Sequence, residues 1–131
     1  MVYKGYKDLE CHIQAKLLRI YISNLPKKFP PPEKFLLTSQ IIDSSRSVTR
    51  NIAEGYGRYT YADTKHFFII ARGSVTETME HFTTAHDEKY IVDEELVTGE
   101  QKCETVFKLI NGYIAYPDKS RNQKTDRKPN P

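Results

Sequence analysis

At 131 residues, 38% hydrophobic and 28% charged, the chain is long enough for one domain with a real core. No apolar run in it approaches the roughly 20 residues that a bilayer span needs, which excludes a helical membrane protein. The net charge of +3 hides an uneven distribution: residues 1–76 carry 12 Lys/Arg against 6 Asp/Glu, and residues 77–116 carry 3 against 9. Two cysteines, Cys11 and Cys103, lie far apart without C-x-x-C spacing, so they are expected to be isolated thiols rather than metal ligands or a disulfide framework. The opening "MVYKGYKDLE" lacks the apolar core of a secretion signal, and a cytoplasmic protein is expected.

Four segments show apolar spacing of 3 and 4, and none alternates strictly as a strand would, so the fold is expected to be all-α. In the first, about 8–25, Leu9, Ile13, Leu17 and Ile20 form the stripe expected to face the core, ended by Pro26 and "PKKFPPPE". Cys11, Ala15, Leu18 and Ile22 form a second stripe on the other side of the same helix. One core is not expected to bury both faces, so these four, with Ile69 opposite Phe82 in the third helix, are the expected contact between copies. The second helix, about 33–55, carries Leu37, Ile41, Ser45, Val48 and Ile52. The third, about 61–88, carries Phe68, Ala71, Val75, Thr78, Phe82 and Ala85. In the fourth, about 93–115, the stripe is Leu96, Cys103, Val106, Phe107, Ile110 and Tyr113, with Gly99 as its weak point and Pro117 as its stop.

Short connections between helices of this length force neighbours antiparallel, which predicts an up-down four-helix bundle over residues 1–116. Residues 117–131 hold 5 Lys/Arg, 2 Asp/Glu and three prolines with almost nothing to bury, and are expected to form a disordered basic tail. Between helices two and three stands "RNIAEGYGRY". Gly55 and Gly57 read as the left-handed close of a helix, and Thr60 with Asp63 as the start of the next. A phosphate-binding loop would need more glycines in fixed order after a strand.

The segments "YKDLE" (6–10), "LPKKFP" (25–30), "LTSQI" (37–41), "NIAEGYGR" (51–58), "ARGSVTE" (71–77) and "INGYI" (110–114) resemble, in order and spacing, the 23S ribosomal RNA intervening-sequence family. The chain is similar also to the accessory protein of diversity-generating retroelements, which works with a reverse transcriptase and nucleic acid. The resemblance implies a small bundle that assembles into a ring-shaped homo-oligomer, a homopentamer. It also makes Asn51, Glu54, Gly55 and Gly57 part of the family's structural signature. Where the family usually carries two arginines and a mid-helix proline, this chain has Ile42, Asp43 and Thr49, with Arg46 and Arg50 nearby instead.

No catalytic set can be assembled. Glu54 has no partner of matched pKa near it in sequence, and Arg50 with Glu54 and Asp43 with Arg46 read as an outer-face charge ladder. Asn51, at the edge of the core stripe, reads as a group that satisfies backbone at the helix end or in a neighbouring subunit. Asp63 and His66 form one D-x-x-H pair, whereas di-metal bundles use two E-x-x-H pairs and further carboxylates; His12 stands alone, and His81 and His86 fall on different faces. No enzyme, cofactor, metal or small-molecule substrate is therefore expected. A partner is: RNA or a nucleoprotein, met by Lys16, Arg19, Lys27, Lys28, Arg46, Arg50, Arg58 and Lys65, with Tyr59 placed to stack on an unpaired base. The alternative is a protein-binding scaffold without nucleic-acid contact.

Overall fold

Residues 5–120 are described by the computed structural model, with side chains over 5–115. They contain four helices and no β-strand: α1 (Glu10–Asn24), α2 (Leu37–Tyr56), α3 (Tyr61–Asp87) and α4 (Asp93–Ser120). Each helix packs on its neighbour in sequence, and α1 also packs on α4, so the four enclose a single core. Phe68, Phe82, Leu18, Ile22, Ile41, Ile52, Val48, Val75, Val106 and Ile110 are its largest fully buried apolar side chains.

The stripes expected on α2 and α3 all lie inside this core, whereas the two faces of α1 are exchanged relative to expectation, except that Leu9, just before the helix, does pack against the core. Cys11, Ala15, Leu18 and Ile22 are buried, and Ile13, Leu17 and Ile20 stand in solvent at 38–48% exposure. These four cannot be a contact between copies, because they are already covered by their own chain. Small Cys11 and Ala15 bring α1 close to its neighbours, and the stripe continues past the helix into buried Leu25 and Phe29. Of the expected interface only Ile69, at 41%, is exposed. Burial raises the thiol pKa of Cys11 to about 11 and of Cys103 to about 12, which leaves both inert near neutrality.

Local chemistry sets the helix ends. Pro26 and the run Pro30–Pro32 replace the expected start of α2 by two short 3-10 turns, Leu25–Lys28 and Pro31–Phe35, and α2 begins only at Leu37. Tyr90 holds this linker in place: its ring lies 5.5 Å from that of Phe29, and its hydroxyl donates to Glu33 Oε2 at 2.8 Å. At the start of α3 the Thr60 hydroxyl accepts from the Asp63 amide at 3.1 Å, the cap expected from sequence. The end of α3 is closed by a Schellman motif. Lys89 takes the left-handed conformation (φ 65°), while the Tyr90 amide donates to the Ala85 carbonyl and the Lys89 amide to that of His86. Helix α4 runs on past Pro117 to Ser120, so this proline does not stop it and the first four residues of the expected tail are helical. The rest of that tail, residues 121–131, lies outside the described residues.

The glycines of "NIAEGYGR" do not close α2 in the left-handed region. Gly55 lies within α2 and Gly57 has φ −77°. What Gly55 provides is proximity: a Cβ there would sit 2.8 Å from the Phe68 ring, and its carbonyl accepts from the Thr64 hydroxyl at 2.8 Å. Further along the α2–α3 contact, the Thr78 hydroxyl lies 2.8 Å from Ser44 Oγ, and Ser47 Oγ lies 2.8 Å from Ser74 Oγ. Asn51 donates to the Ser47 carbonyl at 2.8 Å and to Ser47 Oγ at 3.0 Å, one turn back in its own helix rather than at the helix end.

Candidate nucleic-acid interface

The exposed face of α1 borders a groove of about 920 Å³ whose other wall is α2. Ile13, Leu17, Ile20 and Ala53 supply its apolar surface; Lys16, Arg19 and Arg50 supply charge. Part of its lining is the turn before α1, where Gly5, at φ 66°, stands beside Tyr56 and Tyr6, Lys7 and Asp8 reach the groove. A smaller cavity of about 120 Å³, also lined by Arg19 and Ile20, lies next to it and reaches Arg46. Five cations, Lys7, Lys16, Arg19, Arg46 and Arg50, and one carboxylate, Asp8, are among the residues that line the two cavities of this channel.

Two polar groups sit below the rim. His12 is 8% exposed, and its ring meets that of Tyr6 edge to face at 4.9 Å. Burial, and then the charges of Arg19, Lys16 and Lys7, push its pKa below the ordinary histidine value, so the ring is neutral at pH 7. Arg19 Nε is buried without a hydrogen-bond partner among the described residues.

The structure divides the basic residues singled out from sequence. Lys16, Arg19, Arg46 and Arg50 converge on the channel. Lys27 and Lys28 lie beyond the end of α1, where Lys27 donates to Asn24 Oδ1 at 2.9 Å and Lys28 pairs with Glu95 at 2.8 Å. Arg58, Tyr59 and Lys65 belong to the α2–α3 turn and the first turn of α3. Arg58 pairs with Glu54 at 2.8 Å and lies 4.5 Å over the Phe67 ring, while Tyr59 is 57% exposed and Lys65 partly buried. Glu54 thus pairs with the arginine that follows it by four residues rather than with Arg50, in the orientation that also suits the helix dipole. Tyr6, Lys7 and Thr49 were not legible as channel residues, because only the turn before α1 and the pairing of α1 with α2 bring them there. Among the described residues no three His, Cys, Asp or Glu side chains gather as metal ligands would.

The profile of one family, the 23S rRNA-intervening sequence protein, matches residues 7–112, which takes in α1, α2, α3 and most of α4. The chain belongs to that family. The fold is similar to that of a crystal structure from Bacteroides thetaiotaomicron, described as a protein of unknown function from the S23 ribosomal protein family. The two share 24% identity with a TM-score of 0.73, over 79% of this chain and 97% of that one. No curated protein matches this 23S rRNA-intervening sequence chain. No helix among its described residues is long and apolar enough to cross a membrane.

Proposed function

We propose that this chain is a non-enzymatic, cytoplasmic, up-down four-helix bundle that assembles into a ring, five copies by its resemblance, and binds RNA or a nucleoprotein partner through the α1–α2 channel. The observation that carries this reading is the convergence of Lys7, Lys16, Arg19 and Arg50 on one groove, with Arg46 in the cavity next to it. Clustered cations on one face are the electrostatic footprint of a phosphate-binding surface, and family membership points the same way. Ile69 and neighbouring Ile70, both exposed on α3, support a contact between copies there. Light scattering at tens of micromolar tests the ring, and a monomer there would remove it.

Anisotropy titrations of labelled RNA at several salt concentrations test the channel. Each phosphate contact to a single strand adds about 0.7 to the slope of log K against log salt, so an Arg19→Ala/Arg50→Ala variant should bind more weakly with a slope flatter by about 1.4. A variant with unchanged affinity and slope would remove the channel from the binding surface. The second reading, a scaffold that binds only protein, is favoured by exposed Ile13, Leu17 and Ile20. It predicts no salt-dependent RNA binding by the wild type.

A further inference from the structure

A double helix hides its base faces in the stack and offers phosphates on a stiff, broad surface. The channel offers more than phosphates could use. Its wall carries Ile13, Leu17 and Ile20, each exposed by more than a third, and a duplex has nothing on its surface to cover them. Packed helices lie about 8–10 Å apart axis to axis, so the trough between α1 and α2 is too narrow for a duplex to enter. In the lining of the groove the Tyr6 ring is partly exposed and braced edge-on by His12, which fixes an aromatic surface beside the cations. A positive groove that tracks the backbone, combined with an aromatic platform for bases, is the arrangement that single strands select.

We infer that the α1–α2 channel is a site for unpaired nucleic acid. Base faces cover Ile13, Leu17 and Ile20, a base stacks on Tyr6, and backbone phosphates lie on Lys16, Arg19 and Arg50. This rests on the nucleic-acid reading of the channel and adds to it the strand state of the ligand.

The experiment compares a fluorescein-labelled 12-nucleotide RNA without self-complementarity, alone and annealed to its complement, using the full chain as wild type, Tyr6→Ala and Leu17→Glu. Circular dichroism checks that each variant is folded. The single strand should bind at least tenfold more tightly than the duplex. Tyr6→Ala should lose roughly tenfold for the single strand only, with an unchanged salt slope, because a stacking contact releases no counterions. Leu17→Glu should also lose single-strand affinity, and it keeps the test decisive if the Tyr6 variant disturbs its turn. Equal affinity for both RNAs overturns the inference while leaving the channel a phosphate-binding surface. Binding of neither RNA overturns both. If Leu17→Glu dissociates an oligomer and leaves RNA affinity intact, the apolar wall belongs to a protein contact and the inference fails.

Discussion

Leu18→Glu should abolish the native fold, while Leu17→Glu, one residue away, should leave the circular dichroism spectrum and melting transition near those of the wild type. Leu18 is fully buried among the core residues of α1, α2 and α4, and Leu17 is 48% exposed at the channel. Replacing a buried leucine removes about 2–5 kcal/mol of packing, and an unpaired carboxylate in the same place costs several kcal/mol more unless it takes up a proton. A domain with about 5–15 kcal/mol of stability does not survive that loss. Leu17→Glu buries nothing and adds a charge to a face already in water. Thermal melts of the two proteins decide the matter. A folded Leu18→Glu beside an unfolded Leu17→Glu would mean that α1 presents its other face to the core.

Gly99→Ala should destabilise the protein, although alanine is the better helix former by about 1 kcal/mol. The reason is the Phe82 ring, three atoms of which lie 2.6–2.7 Å from the position a Cβ would take. Phe82 is fully buried, with the Tyr21 ring 6.3 Å away, and cannot swing aside without disturbing the core. Overpacking of this kind costs about 1–3 kcal/mol, more than the gain in propensity. Gly73, on the open face of α3, supplies the control: a Cβ there meets nothing within 4 Å, so Gly73→Ala should stabilise by about 0.5–1 kcal/mol. Urea unfolding of both variants reads the two signs. Stabilisation by Gly99→Ala would show that α3 and α4 do not meet in this register.

The α2 and α3 stripes could be read from spacing because each helix has one apolar face. Helix α1 has two, and spacing alone does not rank them. Leu9, Ile13, Leu17 and Ile20 are the bulkier set, yet the other set continues at the same spacing through Leu25 and Phe29, beyond the end of the helix. Only a face that stays against the core has reason to keep its period into the linker, and that continuity was the signal available. Gly99 looked like a flaw in the α4 stripe because its use depends on Phe82, seventeen residues earlier in the chain and across a helix interface. The channel was legible in part for the same reason. Arg19 and Arg50 stand out as cations in sequence, but their convergence, and the arrival of Tyr6, require α1 to lie beside α2.

The hydroxyl pairs between α2 and α3 bear on how the molecule opens. Ser44 with Thr78 and Ser47 with Ser74 fasten two helices joined by a connection of only four residues, whereas α1 reaches α2 through the twelve residues of the linker. Local contacts close with little loss of chain entropy, so the α2–α3 hairpin should behave as one cooperative unit whose amide protons exchange with solvent only on global unfolding. Amides of α1 should exchange sooner, through a sub-global detachment, and mass-spectrometric exchange profiles with α1 as slow as α2 would contradict this. One wall of the channel would then be the part of the protein most easily lost. A ligand that bridges both walls should slow exchange along α1 most of all, making occupancy of the site a contribution to the molecule's own cohesion.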